Sequence, residues 1–300
     1  VQAWLNGLQR TVSSPGYIGS ILQTLSSVLN AAVDDELIRK NPSRARSVKP
    51  PRKVRPRVQP WSAERVAAVI DALPGRVASM ALLGAGAGLR QGEIFGLAVE
   101  DIDFLQGTVR VERQVKEIGR SPVYAPPKGG RTREVPLAPE VGAALSAHLK
   151  AYAAHEVSLP WRTLDGKPEA HRLLFTTTQH RQHSRSVFNQ GTWKPALAEA
   201  EVIPPPVRTE KGVRYASSRE DGMHALRHFY ASVLLDAGEN VRALADYLGH
   251  SDPGLTLRVY AHLMPEAADR TRKAVDAALG GVVNEVIYGP SAPAVPRQAR

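Results

Sequence analysis

Residues 223–238 of this chain read MHALRHFYASVLLDAG. Apolar residues recur in it at helical spacing, with Leu226 and Phe229 on one side, so the stretch predicts a helix. His224 and Arg227 stand three positions apart and therefore share one face of that helix. An Arg guanidinium matches phosphate oxygens, and an imidazole can share a proton near neutral pH. The pattern predicts a phosphate-binding face.

A tyrosine downstream completes a set of residues able to transfer a phosphoryl group. The stretch LGHSDPGLTLRVY occupies residues 248–260 and ends at Tyr260. A phenol hydroxyl acting as nucleophile, beside an Arg and a His, describes transfer through a covalent protein–phosphate intermediate. Taken singly, each of these residues is more often a surface charge, a core residue or a packing residue, so the inference depends on their combination.

The overall charge favours a polyanionic partner. The chain has 300 residues with 39 Lys and Arg against 29 Asp and Glu, a formal net charge of +10. Such a balance favours nucleic acid. We expect no membrane partner, because no long uninterrupted apolar run could span a bilayer. The absence of cysteine excludes disulfides and thiolate metal sites. We expect a cytoplasmic, nucleoid-associated protein.

A basic, proline-rich stretch at residues 39–57 divides the chain into two parts. Its prolines forbid a continuous helix, and it holds no acidic residue. We interpret it as an extended tether that follows a phosphate backbone; a solvated linker between domains is the alternative. The residues predicted to bind DNA are Arg44, Arg46, Lys49, Arg52, Lys53, Arg55 and Arg57.

Two further segments after the tether carry candidate residues. The stretch GLRQGE, residues 88–93, predicts a glycine turn that places Arg90 at a junction between helices, with Glu93 one turn into the second helix. Residues 107–137 predict strands at 108–111, 122–125 and 132–137. We expect a hairpin between the last two strands, with a glycine tip that could carry Lys128 into a cleft.

A metal site is not predicted. His180 and His183 have a spacing that metal ligands can have, but no acidic residue or further histidine follows nearby. We interpret their loop as solvated or phosphate-facing. No metal and no cofactor is expected.

The order of these segments resembles the tyrosine recombinases, the phage integrase family. The matching stretches are GLRQGE at 88–93, HALRH at 224–228, LGHS at 248–251, Thr256, and YAH at 260–262. The resemblance covers about residues 60–265 and implies an α+β, mainly helical fold. It implies a partial N-terminal helical core-binding domain and a C-terminal catalytic domain with a small three-stranded antiparallel sheet.

The resemblance also implies how the phosphate is held. Arg90 and Arg227 would clamp the non-bridging oxygens of the scissile phosphate and neutralise charge that builds in the transition state. His250 would donate a further hydrogen bond to that phosphate. His224 would bind the phosphate region or accept the tyrosine proton. Glu93 would support these phosphate-binding residues. Two arginines and a lysine make a metal unnecessary.

The same resemblance implies how a DNA strand would be cut and rejoined. Tyr260 would attack the phosphate and leave a 3′-phosphotyrosine link with a free 5′-hydroxyl. Lys128 would protonate the departing 5′-oxygen as general acid. We interpret His228 as structural, or as a residue that supports those contacting the phosphate. The phosphotyrosine link would retain the energy of the cleaved phosphodiester bond, so the strand could be rejoined without ATP.

The implied function is site-specific recombination of double-stranded DNA, for the integration or excision of a phage or mobile element. We expect a homotetramer in the synaptic complex, with possible DNA-bending or excision factors as accessory partners. Two alternatives stay open. One is a type IB topoisomerase, which the Leu-Gly-His stretch and the tether disfavour. The other is a DNA-binding accessory protein without catalysis, which the presence of Arg90, Arg227 and Tyr260 disfavours.

The resemblance also implies how the chain divides into domains. They are a partial core-binding domain at 1–48, a basic linker at 49–60, the catalytic domain at 61–280, and a tail at 281–300. The first of these should hold only the last part of a four-helix unit. The tail contains a short apolar stretch, and we expect it to dock onto a neighbouring protomer.

Overall fold

The computed structural model describes residues 1–51, 57–210, 212–216 and 220–263, together with residues 272, 275–277 and 279. The chain divides into two compact units, Val1–Arg57 and Val58–Arg300. Helices predominate and the sheets are small and antiparallel. The predicted α+β, mainly helical class is therefore confirmed. None of the described helices is both long and apolar enough to cross a membrane.

Some predictions fall on residues outside the described part of the chain. Three of the predicted DNA-binding residues, Arg52, Lys53 and Arg55, lie there, as does the tail at 281–300. These stay predictions.

The first unit contains the helices α1, Gln2–Thr11, and α2, Pro15–Asp34. The Ser14 side chain caps α2 by accepting a hydrogen bond of 3.3 Å from the backbone N–H of Tyr17. Beyond α2 the chain folds back, because the Asn41 amide donates to the backbone oxygen of Ser26 at 3.0 Å and to Asn30 at 2.7 Å. This anchor fixes the start of the basic stretch.

The second unit holds the remaining elements. Its helices are α3 (Ala63–Asp71), α4 (Gly75–Ala87), α5 (Gln91–Phe95), α6 (Pro139–Ala151), α7 (Arg185–Phe188), α8 (Lys194–Glu199), α9 (His224–Asp236), α10 (Val241–Leu248) and α11 (Pro253–Tyr260). Its strands are β1 (Ile102–Asp103), β2 (Thr108–Val111), β3 (Gln114–Ile118), β4 (Ser121–Ala125), β5 (Arg133–Pro136), β6 (His155–Pro160), β7 (Pro168–Leu173), β8 (Val207–Thr209) and β9 (Gly212–Arg214).

The strand pairing differs from the prediction. A three-stranded antiparallel sheet exists, but its order is β1-β2-β5, while β4 pairs with β3 in a separate ribbon. The expected hairpin between β4 and β5 is therefore wrong. Pro126 and Pro127 follow β4 directly, and prolines lack the N–H that a continued ladder needs. Strand β3 escaped prediction because its sequence, QVKEI, is mostly polar.

Close packing of α4 against α9 forms the centre of the second unit. A Cβ added at Gly84 of α4 would lie 3.0 Å from Cδ1 of Leu226, so the glycine allows the two helices to approach. Leu226 is fully buried in the core. Helix α4 thus packs against the side of α9 that carries Leu226.

Gly88 ends α4 in a left-handed conformation, with φ of +64°. A Cβ at this position would lie 2.5 Å from Cδ1 of Tyr230 and 3.2 Å from Cδ2 of Leu248. The turn that leads to Arg90 therefore requires glycine both for its backbone conformation and for space.

We predict that Gly88→Ala lowers the free energy of unfolding by about 2–4 kcal/mol, since backbone strain and overpacking add. Gly119 has the same φ of +64°, but a Cβ there would meet open space, so Gly119→Ala is a matched control. It should cost only about 1 kcal/mol. Urea unfolding monitored by circular dichroism measures the free energy of unfolding of both variants. Equal losses would show that the space around Gly88 adds nothing to the requirement for glycine.

Candidate active site

Arg90 is the N-cap residue of α5 and bonds to Glu93 through both its backbone and its side chain. Its N–H donates to Oε2 of Glu93 at 2.8 Å, and its guanidinium Nη1 donates to Oε1 at 2.9 Å. Glu93 is 1% exposed, whereas Arg90 is partly open to solvent. The glycine turn and the buried carboxylate together fix where this guanidinium lies.

A second arginine, Arg133 at the start of β5, completes the shell around Glu93. Its Nη1 and Nη2 donate to the two carboxylate oxygens at 3.0 and 2.6 Å, and its Nε donates to the backbone oxygen of Tyr247 at 2.7 Å. Burial alone would raise the pKa of Glu93, but the bonds and charge of Arg133, with Arg90, lower that pKa to about 2. Glu93 is ionised at neutral pH, and the Glu93–Arg133 pair joins α5, β5 and α10.

Arg227 lies on α9 and is 1% exposed. Its Nη1 donates to the backbone oxygen of Gly88 at 2.7 Å, and its Nη2 donates to the backbone oxygen of Leu248 and lies 3.2 Å from Nε2 of His250. Its Nε has no partner among the described residues. Burial, followed by the charge of Arg90, lowers the pKa of Arg227 to about 9, so the guanidinium stays charged at neutral pH.

His250 follows α10, which ends at Gly249 with φ of +61°. Its Nδ1 lies 2.8 Å from Oγ1 of Thr256, while its Nε2 faces Arg227. Burial, with the charge of Arg227, lowers the pKa of His250 to about 4, so the ring is neutral. Donation from Nε2 to a phosphate requires the tautomer in which Thr256 donates to Nδ1.

Tyr260 ends α11 and is 2% exposed. Its hydroxyl oxygen lies 2.7 Å from Nδ1 of His228. Burial raises the pKa of Tyr260 to about 12, although the charges of Arg227 and Arg90 act in the opposite direction. The hydroxyl is therefore protonated at neutral pH, and the resting nucleophile is a phenol.

His224 and His228 lie one turn apart on α9. Their ring centroids are 4.6 Å apart and the rings meet edge to face. His224 is exposed, whereas His228 is partly buried against Tyr260.

An open cavity of about 630 Å³ adjoins this cluster. Arg90, Lys128 and His224 line it, together with two further cations, Lys116 and Arg185. Lys128 is exposed on the loop that follows β4, beside Gly129 and Gly130, whose φ angles are +88° and +74°. The loop therefore brings Lys128 to the same cleft as Arg90, although it links two different sheets.

The predicted site residues thus converge, while their catalytic roles stay predictions. Arg90, Glu93, Arg227, His250 and Tyr260 form one cluster, close enough for their charges to shift one another's pKa. Lys128 and His224 face the adjoining cavity. Among the predicted DNA-binding residues, Arg44, Arg46, Lys49 and Arg57 are exposed.

Sequence reasoning missed two members of the cluster. Arg133 gave no signal beyond its place after the glycine tip, because a lone Arg in a strand is usually a surface charge. His228 is interpreted from the sequence as structural or supporting, and its contact with the tyrosine hydroxyl was not predicted. Its position one residue after Arg227 gave no indication that Tyr260 would reach it.

Comparison with known proteins identifies the family. The model of the phage integrase family matches residues 58–267, which is more than half of the chain. The chain belongs to the phage integrase family. This membership confirms the resemblance of the separate stretches, since the match spans all of them from Arg90 to Tyr260.

Individual relatives are distant and longer. A tyrosine recombinase XerC-like protein of Caldanaerobacter subterraneus subsp. tengcongensis is 26% identical, over 89% of this chain and 67% of its own length. The putative prophage phiRv2 integrase of Mycobacterium tuberculosis is 25% identical, over 84% of this chain and 59% of its own. The integrase of Mycobacterium phage L5 is 29% identical, over 86% of this chain and 62% of its own length. The chain spans about two thirds of the length of these integrase-family proteins, or somewhat less.

Solved structures share the fold. The Tn1549 transposon integrase in complex with a circular intermediate DNA gives a TM-score of 0.69 at 20% identity, covering 92% of this chain and 83% of that one. A lambda integrase dimer bound to a core site gives a TM-score of 0.59 at 16% identity, covering 86% of this chain and 77% of that one. The arrangement of helices and small sheets is therefore that of integrase structures.

We predict that Arg133→Met lowers the free energy of unfolding by about 3–5 kcal/mol, because it leaves the buried Glu93 carboxylate short of its main partner. Arg242 forms an exposed pair with Asp246 at 3.4 Å, so Arg242→Met is the matched control. That change should cost about 0.5 kcal/mol or less. Urea unfolding at pH 7 compares the two, and a loss for Arg133→Met no larger than the control would refute the assigned role.

Proposed function

We propose that this chain is a site-specific DNA recombinase that cuts and rejoins strands through a 3′-phosphotyrosine intermediate. One observation carries the proposal: a buried tyrosine lies in the same cluster as two arginines, one of which has a buried Nε–H without a partner among the described residues. A buried donor left unpaired costs about 1–3 kcal/mol, and a phosphate oxygen would satisfy it. The family match supports the same activity.

The proposed roles follow from the charges of the site. Arg90 and Arg227 bind the non-bridging oxygens of the scissile phosphate, and His250 donates a third bond. Tyr260 attacks the phosphorus, and Lys128 protonates the departing 5′-oxygen. Both arginines are held in place by bonds to Glu93 or to backbone oxygens, so the anion site exists before DNA binds.

Double-stranded DNA is the proposed partner. Related integrase structures were determined in complex with DNA, and the described part of the basic stretch exposes Arg44, Arg46, Lys49 and Arg57. We assign residues 1–48 to a partial core-binding domain, 49–60 to a tether on the phosphate backbone, 61–280 to the catalytic domain and 281–300 to a docking tail. A homotetramer would assemble at synapsis, with DNA-bending or excision factors as accessories. A cytoplasmic, nucleoid-associated location follows from this role.

Covalent trapping tests the proposal. The Tyr260→Phe variant first selects bound fragments from a random duplex library, which identifies a target site. Nicked duplexes carrying that site are then mixed with the wild type and with Tyr260→Phe and run on SDS gels. We expect a protein–DNA band that requires Tyr260, because the nick releases the 5′-end and traps the phosphotyrosine.

Further outcomes separate the remaining functions. Strand exchange between two duplexes carrying the selected site supports a recombinase, whereas relaxation of supercoiled DNA without exchange would identify a topoisomerase. Tight binding without any covalent band would contradict the proposed enzyme and leave a DNA-binding protein.

A further inference from the structure

The hydroxyl of Tyr260 is held by a residue that the proposed roles leave unused. The oxygen lies 2.7 Å from Nδ1 of His228, within ordinary hydrogen-bond distance, and the rings meet edge to face with centroids 5.6 Å apart. His228 is the residue after Arg227 on α9, so the helix that holds the phosphate-binding guanidinium also holds the group that touches the nucleophile.

We propose that His228 is the proton acceptor of the nucleophile, taking the Tyr260 hydroxyl proton on Nδ1 as the tyrosine attacks. The inference rests on the proposed function. It assigns the step to His228 rather than to His224, which is exposed and touches His228 through its ring edge.

The charges around the pair set when the proton moves. Burial, followed by the charge of Arg227, lowers the pKa of His228 to about 4, so the ring is neutral and can accept. The pKa of Tyr260 is raised to about 12 by burial, so the phenol keeps its proton in the resting site. The two values are far apart, and the transfer therefore takes place only as the phenol oxygen bonds to phosphorus and becomes strongly acidic.

The proposed step balances in atoms and charge. The bond between Oη of Tyr260 and phosphorus forms while the bond from phosphorus to the 5′-oxygen breaks. The phenol proton passes to Nδ1 of His228, which becomes an imidazolium, and the 5′-oxygen takes a proton from the Lys128 ammonium. Religation runs in reverse, and His228 returns its proton to the departing phenolate.

Several titratable or charged groups surround the pair. Those that face His228 or Tyr260 from α9, from the start of α5 and from the loop after α10 are His224, Arg227, Arg90 and His250. The two arginines favour negative charge on the phenol oxygen and oppose positive charge on His228, so the imidazolium is short-lived.

Single-turnover cleavage of the selected nicked duplex tests the inference on the full chain. A second substrate replaces the scissile 5′-oxygen with sulfur, a leaving group that needs no protonation. At pH 7 we expect His228→Ala to cleave the ordinary substrate on the order of 100-fold slower, the usual size of an acid–base contribution. Sulfur should rescue Lys128→Ala but not His228→Ala, because it assists only departure.

The pH profile distinguishes proton transfer from packing. Between pH 7 and 9, titration of His228 should not change the wild-type cleavage rate, since the ring is already neutral. The His228→Ala rate should rise by up to about tenfold per pH unit, because the phenol must then ionise to solvent. His228→Asn can keep an acceptor near the Nδ1 position without basicity, so it should fold and bind DNA yet stay slow and pH-dependent.

Other results would overturn the inference. A His228→Ala rate within about threefold of the wild type, or a wild-type rate restored by His228→Asn, would leave His228 without a proton-transfer role. The inference would also fail if the loss were equal at every pH, or if His224→Ala instead gave the rising pH profile. Failure of the wild type to form the covalent product on either substrate would refute the proposed function itself, and this inference with it.

Discussion

The buried guanidinium of Arg227 is the interaction on which the rest of the site depends. It joins the turn after α4, through Gly88, to the end of α10, through Leu248, and it reaches His250. Removing a charged group from water costs several kcal/mol, and only well-placed acceptors offset that cost. Gly88 and Gly249, both left-handed, let the backbone carry two of those acceptors to the guanidinium. These two left-handed turns therefore help to hold one arginine.

The charge balance of the cluster explains what it can bind. Arg90, Arg133 and Arg227 surround one buried carboxylate, Glu93, so the described cluster carries a surplus of positive charge. The same surplus, with burial, lowers the pKa values of His228 and His250, and it opposes the effect of burial on Tyr260. An entering phosphate would compensate these charges and supply an acceptor for Nε of Arg227. In this proposal, one anion both completes the electrostatics and presents the reacting atom.

The sequence predicted much of the fold and of the cluster, for physical reasons that differ between residues. Helical periodicity located α9, and the glycine at 88 located the turn before Arg90, because both are local signals. Strand partners were not local: β4 and β5 were each predicted near their observed positions, yet their pairing with β3 and β2 depends on tertiary packing. The contacts of His228 with Tyr260 and of Arg133 with Glu93 join residues far apart in the chain, so no spacing in the sequence could indicate them.

The most direct test of the central claim, that the arginine cluster is a site for the scissile phosphate, is charge removal from the substrate. A methylphosphonate at the scissile position replaces one non-bridging oxygen with an uncharged methyl group. In single-turnover cleavage of the phosphate substrate, we expect Arg90→Ala to be slower than the wild type by on the order of 100-fold. On methylphosphonate the same comparison should show a much smaller difference, since there is less charge for Arg90 to neutralise. An equal loss on both substrates would contradict the account and reduce Arg90 to a structural partner of Glu93.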